Sequence, residues 1–597
     1  MQSRVSFWIV CGTRSNVYEF NFNKEVVMGS NLGQDSLTLF SKGGLLRPHA
    51  LSILLPAFLL IACGGISDSP SDSNGTDSNG NDSSDSSDSS EPAQELDPCE
   101  QLGLPKQEWI EAEDSRDLGA LAADFEVDTV DGSLKFSEMW TGCENYLFIQ
   151  DEPAQASGWP KDLWTRDVGS FLERLPTNTH VLFFSTASGK SKREEILGDL
   201  EKKVKNALNS WDEDSKDWRT DRLHYVTTKI RNIEEWLGIA LTSPGWGIGV
   251  DRFQKIRYIG SYADPTRYNS EYGWFEPNLT KAANEAIYYN FEAERAAEME
   301  AQAADVYPIW EQESIGCGWT GICNRTAVEL PDAATMEGYD TLELDINMEC
   351  VGDGEYGDCP PWDYLVYLYL CEDDNPESCP VEFGRWITTY HREGRWVHDV
   401  SGLLPYIKDG GIKNFAFETT QTYEIDLSLR LSNSSKTERP ESLTPLFNGS
   451  GFSSTSNEAY LPMEVEIPAT ASKVELAYVI SGHGMSDTGN CAEFCVTDHH
   501  FGVNGTDNLV SLSDAGIQYG CEDQVAEGTV PNQYGTWWYG RSNWCPGREV
   551  QLKTIDITDQ LTPGETATFT YEGLYNGAPF SGGGASMRLK SWVVVSE

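Results

Sequence analysis

The sequence predicts a multidomain protein in which an α/β module precedes a β-sandwich region. Three observations carry this reading. The chain has 597 residues, too many for one core, and a prior of about one domain per 150 residues gives three or four units. Between residues 98 and 278, short apolar runs alternate with helical patterns, as they do in α/β sheets. From Val306 onward the texture changes to short β-rich runs separated by Gly, Pro, Asn and Asp clusters, the pattern of sandwiches. Charge narrows the function classes. With 94 acidic and 43 basic residues the formal charge is −51, which opposes binding to nucleic acid or to an anionic membrane surface and suits a soluble, secreted protein.

Residues 1–62 read as a signal region. The apolar run from Leu51 to Ala62 is too short to span a bilayer by the criterion of about 20 residues, and Lys42 and Arg47 give it a positive flank. Leu60-Ile61-Ala62-Cys63 resembles the bacterial lipobox, which implies cleavage before Cys63 and acylation of its thiol; Met28 is then an alternative start. The lipid anchor would be the chain's sole link to a membrane, and it places the folded part outside the cytoplasm, at the outer membrane or cell surface. Residues 63–97 follow as a Ser/Asp/Asn/Gly tether, a composition that cannot bury enough apolar surface to offset chain entropy. Beyond Cys63 there are twelve cysteines, an even number that fits disulfides in an oxidising compartment. Their spacing includes no C-x-x-C, and no histidine pair stands at zinc spacing, so no metal site is expected.

Within 98–278, Asn145-Tyr-Leu-Phe-Ile149 and His180-Val-Leu-Phe-Phe-Ser185 read as strands, with a helical stretch near 160–175 between them and a charged helix from Lys192 to about Ser210 behind them. The run from Ala123 to Gly132 and the hairpin from Gly249 to Gly260 resemble the thioredoxin-like family in its peroxiredoxin-type form, with Ser243-Pro244 in the place of its cis-proline. That family would place a cysteine pair after the strand ending near Ile149, and Asp151 to Gly158 has none. The expectation is a redox-inactive binding or spacer module in which Cys99 and Cys143 form a structural bridge. Residues 279–305 are rich in Ala and Glu and free of Pro and Gly between Lys281 and Ala304, which predicts a connecting helix.

Three carboxylates stand out. Cys491-Ala-Glu-Phe-Cys495 places two cysteines four apart, close enough to bridge on a helical turn that would hold Glu493 rigidly and point it away from the sulfurs; a surface staple with an incidental Glu is the other reading. Asp363 opens Trp362-Asp-Tyr-Leu-Val-Tyr-Leu-Tyr-Leu370 after Cys359-Pro-Pro361 and, with period two, shares a face with Leu365, Tyr367 and Tyr369. Burial there would raise its pKa toward a value useful for proton transfer, whereas a solvated Asp at a strand start would be unremarkable. Glu418, in Phe415-Ala-Phe-Glu-Thr-Thr420, lies on the face opposite Phe415 and Phe417, a solvent-facing position when taken alone.

The segments Cys359-Pro-Pro-Trp-Asp-Tyr364, Phe383-Gly-Arg-Trp-Ile-Thr-Thr-Tyr390, Phe417-Glu-Thr419, Ile480-Ser-Gly482, Cys491-Ala-Glu-Phe-Cys495 and Gly540-Arg-Ser-Asn-Trp-Cys-Pro-Gly547 occur in one order. The ordered set resembles the bacterial peptide-N-glycosidase F family over about the last half of the chain. The resemblance implies two antiparallel jelly rolls, 306–450 and 451–597, with an active site between them that hydrolyses the amide joining a glycan to asparagine. It makes Asp363 the principal catalytic acid and Glu493 the second, with Glu418 holding sugar and Arg541 and Trp544 lining the cleft. Its three disulfides would be Cys350–Cys359, Cys491–Cys495 and Cys521–Cys545, leaving Cys317–Cys323 and Cys371–Cys379 as hairpin staples. Where the family has Arg, Trp and Trp at sugar-contact positions, this chain has Tyr364, Thr420 and His483. No cofactor is implied, the partner would be an N-glycosylated protein or glycopeptide, and a monomer is expected. Two other classes share the architecture: a non-catalytic, lipid-tethered glycoprotein binder, and a type II copper monooxygenase. The latter needs several histidines, and only His499 and His500 are adjacent.

Overall fold

The computed structural model describes two short paired strands, Phe7–Val10 and Val17–Phe20, and residues 97–597 apart from 155–162, 243–244, 272, 353 and 485–491. Cys63, Ser243-Pro244 and Cys491 therefore lie outside the described residues.

The first folded region is a five-stranded mixed sheet in the order Leu223–Val226, Thr179–Phe184, Asn145–Ala154, Gly245–Val250, Ile256–Tyr258. The first three strands are parallel and the last two antiparallel. Every residue of Thr179–Phe184 is buried, as befits a strand covered on both faces. The helix Lys190–Leu208 lays Leu197, Leu200, Val204 and Leu208 on one face, the spacing of an amphipathic stripe; Phe125, Phe136 and Trp236 cover the other. The helical stretch expected near 160–175 is a 3-10 turn, Leu163–Thr165, followed by the helix Val168–Arg174. A Cys99–Cys143 disulfide ties the opening helix Pro98–Leu102 to the segment just before the central strand.

The Ala/Glu-rich segment forms the helix Ala283–Ala301, but it is no exposed connector: Asn284, Glu285, Tyr288 and Tyr289 are buried. A buried carboxylate must be paired, and Glu285 is: Arg392 approaches it at 2.9 Å while also binding Glu355 at 2.6 Å. Lys281 binds both oxygens of Glu522 at 2.7 and 2.6 Å. The Ser261 amide donates to the Asn532 carbonyl at 2.7 Å. Beside it, a Cβ on Gly260 would come within 1.9 Å of the same oxygen, so only glycine allows that approach. One apolar cluster runs without a break from this module into the next domain.

That domain is a sandwich of two antiparallel sheets. One has the order Ala304–Ile315, Tyr423–Ser432, Thr341–Glu349, Gly394–Asp399; the other Asn324–Asp332, Gly410–Thr419, Leu365–Leu370, Val381–Ile387, Arg548–Glu549. Alternation builds the core, with Leu342, Leu344, Ile346 and Met348 inward from one sheet and Val366, Leu368, Phe415 and Phe417 from the other. A second sandwich pairs Pro440–Gly451, Ser586–Ser596, Lys473–His483 and Lys553–Asp556 in one sheet, and Met463–Glu466, Thr566–Leu574, Asp498–Val503 and Thr506–Ser511 in the other. Its core is a separate cluster. The sandwiches meet across a buried ion pair: Arg385 grips Glu382 at 2.7 Å and donates to Ser481 and the Arg588 carbonyl of the second sandwich at 2.9 and 3.0 Å. Among the described residues five disulfides close, Cys99–Cys143, Cys317–Cys323, Cys350–Cys359, Cys371–Cys379 and Cys521–Cys545, which points to an extracytoplasmic location. No helix among them is long and apolar enough to cross a membrane.

Candidate active site

Asp363 stands two residues before the Leu365–Leu370 strand, outside the ladder. The reason is local: the Tyr364 amide donates to Thr388 Oγ1 at 2.8 Å, and that hydroxyl donates to the Trp362 carbonyl at 2.6 Å. Thr388 thus ties the chain through its side chain as well as through its own amide, which donates to the Tyr364 carbonyl at 2.9 Å, with the Cys350–Cys359 bridge and two prolines just upstream.

Glu493 comes from the second sandwich. Its knuckle is a series of bends over Ala492–Cys495 and no helical turn. The Ser542 amide donates to the Glu493 carbonyl at 2.8 Å, and the Gly482 amide to the Ser542 carbonyl at 3.1 Å. A Cβ on Gly482 would meet the Ala492 carbonyl at 1.8 Å, so glycine is what lets the strand end seat the knuckle.

Arg541 joins the two acids. Its guanidinium, 1% exposed, lies 3.4 Å from Asp363 Oδ2 through Nη2 and 3.4 Å from Glu493 Oε1 through Nε. It is fixed from behind by Nη1 donating to the Thr536 and Tyr539 carbonyls at 3.2 and 2.8 Å, and its charge lies beside the rings of Phe494 and Trp544. Asp363 and Glu493 keep 17% and 15% of their side chains exposed, enough for water to reach them. Burial pushes the Asp363 carboxyl above its usual range, with Arg541 and a hydrogen bond from Tyr390 pulling the other way. Burial likewise lifts Glu493 to about 7, opposed by Arg541 and reinforced by the negative charge of Asp363. The cluster thus sets two carboxyls, both lifted by burial, on one fixed cation, groups of the kind that exchange protons.

Tyr390 escaped the sequence reading. Its hydroxyl accepts from Arg541 Nη2 at 3.4 Å and partners Asp363, and burial keeps the phenol protonated. Its place at the end of the Phe383–Tyr390 segment was the available signal.

Glu418 stands apart from this cluster. It is opposite Tyr367 in the sheet and accepts from Tyr369 at 3.3 Å, whereas Asp363 lies outside the strand, four residues before Tyr367 in sequence. His483 stacks on Trp544 with ring centres 4.9 Å apart. Burial, together with Arg385, Arg588 and Arg541, holds His483 well below its ordinary pKa, so it is neutral. Trp544 Nε1 donates to the Gly482 carbonyl at 2.7 Å. Tyr364 turns its ring toward Trp319.

Two features bear on metal. Cys350, Cys359 and Glu393 group at ligand spacing, but both sulfurs are in a disulfide. His499 is buried with its two nitrogens bound to Thr497 and Tyr571 at 3.0 and 2.7 Å, leaving no lone pair for copper.

A family model described as peptide-N-glycosidase F, C terminal, matches residues 452–594. No curated protein sequence matches the chain. Solved structures similar to it include recombinant peptide:N-glycanase F and PNGase F, a glycosylasparaginase from Flavobacterium meningosepticum. Each is 18% identical, with 49% of this chain and 96% of that chain covered and a TM-score of 0.41. PNGF-II is similar at 14% identity over 51% of this chain and 67% of its own, with a TM-score of 0.38.

Proposed function

We propose that the protein is an amidase that hydrolyses the bond between N-acetylglucosamine and asparagine in N-glycoproteins or glycopeptides, releasing a glycosylamine and turning Asn into Asp. The observation that carries the proposal is the convergence of Asp363 from one sandwich and Glu493 from the other on Arg541, both acids lifted by burial. The reaction needs a base to activate water, an acid for the carbonyl oxygen or the departing amine, and groups that hold the sugar. In this reading Asp363, ionised beside Arg541, takes the proton from water. Glu493, protonated near neutral pH, supplies one. Arg541 keeps both in register, and Tyr390 donates to Asp363 to fix its orientation. Glu418, held by Tyr369 rather than by Arg541, suits a sugar hydroxyl better than the reacting carbonyl, and His483, Trp544 and Tyr364 line the cleft. No metal or organic cofactor has a part in it.

The two β-sandwiches fit the jelly-roll pair that the reading expects, and we take the α/β region as a redox-inactive thioredoxin-like module, supported by its strand order and by the engagement of Cys99 and Cys143 in a disulfide. An acylated Cys63 would hold the whole at the outer membrane or cell surface. The test is incubation of the soluble protein with a denatured glycoprotein: released glycan together with an Asn-to-Asp change supports the amidase. Tight glycopeptide binding without release would make it a binding module instead.

A further inference from the structure

Trp319 is a side chain for which the site as built so far has no use. It is 81% exposed, more than any other large hydrophobic side chain among the described residues. Single exposed apolar residues are ordinary, so exposure alone decides nothing. Three further observations do. The Trp319 ring packs edge-on against Tyr364 with centres 5.3 Å apart, and Tyr364 directly follows Asp363. Its loop is built to be rigid: the Cys317–Cys323 bridge closes it, Gly318 and Gly321 take the left-handed conformations at φ 61° and 82°, and Thr320 Oγ1 donates to the Cys317 carbonyl at 2.6 Å. The loop is also anchored on both sides of Glu418, with the Cys317 amide donating to the Thr419 carbonyl at 2.9 Å and the Cys323 amide to the Phe417 carbonyl at 3.2 Å. An indole on a braced loop is thus held open to solvent at the rim where the Asp363 and Glu418 segments adjoin.

We propose that Trp319, braced by Tyr364, is a stacking platform for a pyranose ring of the glycan beyond the one bonded to asparagine. The assignment rests on the amidase reading for the identity of the glycan. A pyranose presents an apolar C–H face and a polar rim, and a rigid aromatic side chain meets the first while leaving the second in water, at little cost in conformational entropy. The position favours sugar over peptide, because the loop is fastened to the strand whose carboxylate lies farther from the reacting carbonyl than Asp363 and Glu493 do. It also gives the chain an aromatic surface near the positions where Tyr364 and Thr420 stand.

The test compares full-length wild type, Trp319→Ala and Trp319→Phe. Calorimetry with a free high-mannose oligosaccharide should show binding weakened about tenfold by Trp319→Ala, the scale of one stacked ring, with much of it restored by Trp319→Phe. In turnover, the ratio of kcat/KM for a glycopeptide bearing the whole glycan to that for one trimmed to a single N-acetylglucosamine should fall about tenfold, through KM. Unchanged oligosaccharide binding in Trp319→Ala, no oligosaccharide binding by wild type, or a loss equal for both glycan lengths would overturn the platform. Oligosaccharide binding that depends on Trp319 in a protein that releases no glycan would uphold the platform and overturn the amidase.

Discussion

Arg541 is the residue on which the proposed chemistry turns, because one guanidinium holds two carboxyls that would otherwise repel. Asp363→Asn should lower turnover by about 10²–10⁴-fold, the usual contribution of a general base, while glycopeptide binding and the fold persist; stopped assays alongside calorimetry would separate these. Glu418→Gln should act mainly on KM, since an orienting contact is made in ground and transition states alike. Glu493 adds a pH signature. Burial lifts it from 4.5 to about 7. A carboxyl raised on folding favours the folded state while protonated, so its contribution to stability falls as pH rises between those values and is constant above them. The melting temperature of Glu493→Gln relative to wild type should therefore improve from about pH 5 to about pH 8, and kcat/KM of wild type should decline above about pH 7 as the acid is lost. A melting difference independent of pH would contradict the shift. The acids were legible in the sequence because each sits in a short motif with a distinctive neighbour. Tyr390 and the burial of Arg541 were not, since both arise from contacts between segments more than 100 residues apart.

At the scale of elements, period two was a dependable guide. Asn145–Ile149, His180–Phe184, Leu365–Leu370 and Phe415–Thr419 lie in strands where alternation or an apolar run placed them, and Glu418 pairs with Tyr367 while Phe415 and Phe417 are buried in the core. The ends of elements were harder. Asp363 precedes its strand because Thr388 takes the Tyr364 amide, and the Cys495 knuckle is a series of bends because Ser542, distant in sequence, donates its amide to the Glu493 carbonyl and is itself held by the Gly482 amide. Gly482 offers a direct check. An alanine there would drive a methyl into the Ala492 carbonyl, and overpacking of this kind typically costs about 1–3 kcal/mol. Gly482→Ala should lower the melting temperature modestly and turnover severely, because the displaced segment carries Glu493; a variant as active as wild type would show that the knuckle tolerates movement.

At the scale of the molecule, the α/β region belongs to the same body as the first sandwich. Sequence could not reveal this: Lys281, Glu285, Arg392 and Glu522 look like solvated charges until their partners are known, yet all four are buried in ion pairs. Removing one side of such pairs strands buried charge, at about 3–5 kcal/mol for each. A fragment beginning at residue 303 should therefore be far less soluble and less stable than one beginning at residue 97, judged by expression yield and melting. Equal stability would make the module a mere passenger. The division of the proposed catalytic groups between two sandwiches has a different corollary. Asp363 comes from the first sandwich, and Glu493 and Arg541 from segments more than 100 residues further along the chain, so the proposed centre exists only while these segments remain docked. In rising denaturant, catalysis should vanish while far-ultraviolet circular dichroism still reports intact sheets, which makes enzymatic output the most sensitive gauge of whether the two halves are in register.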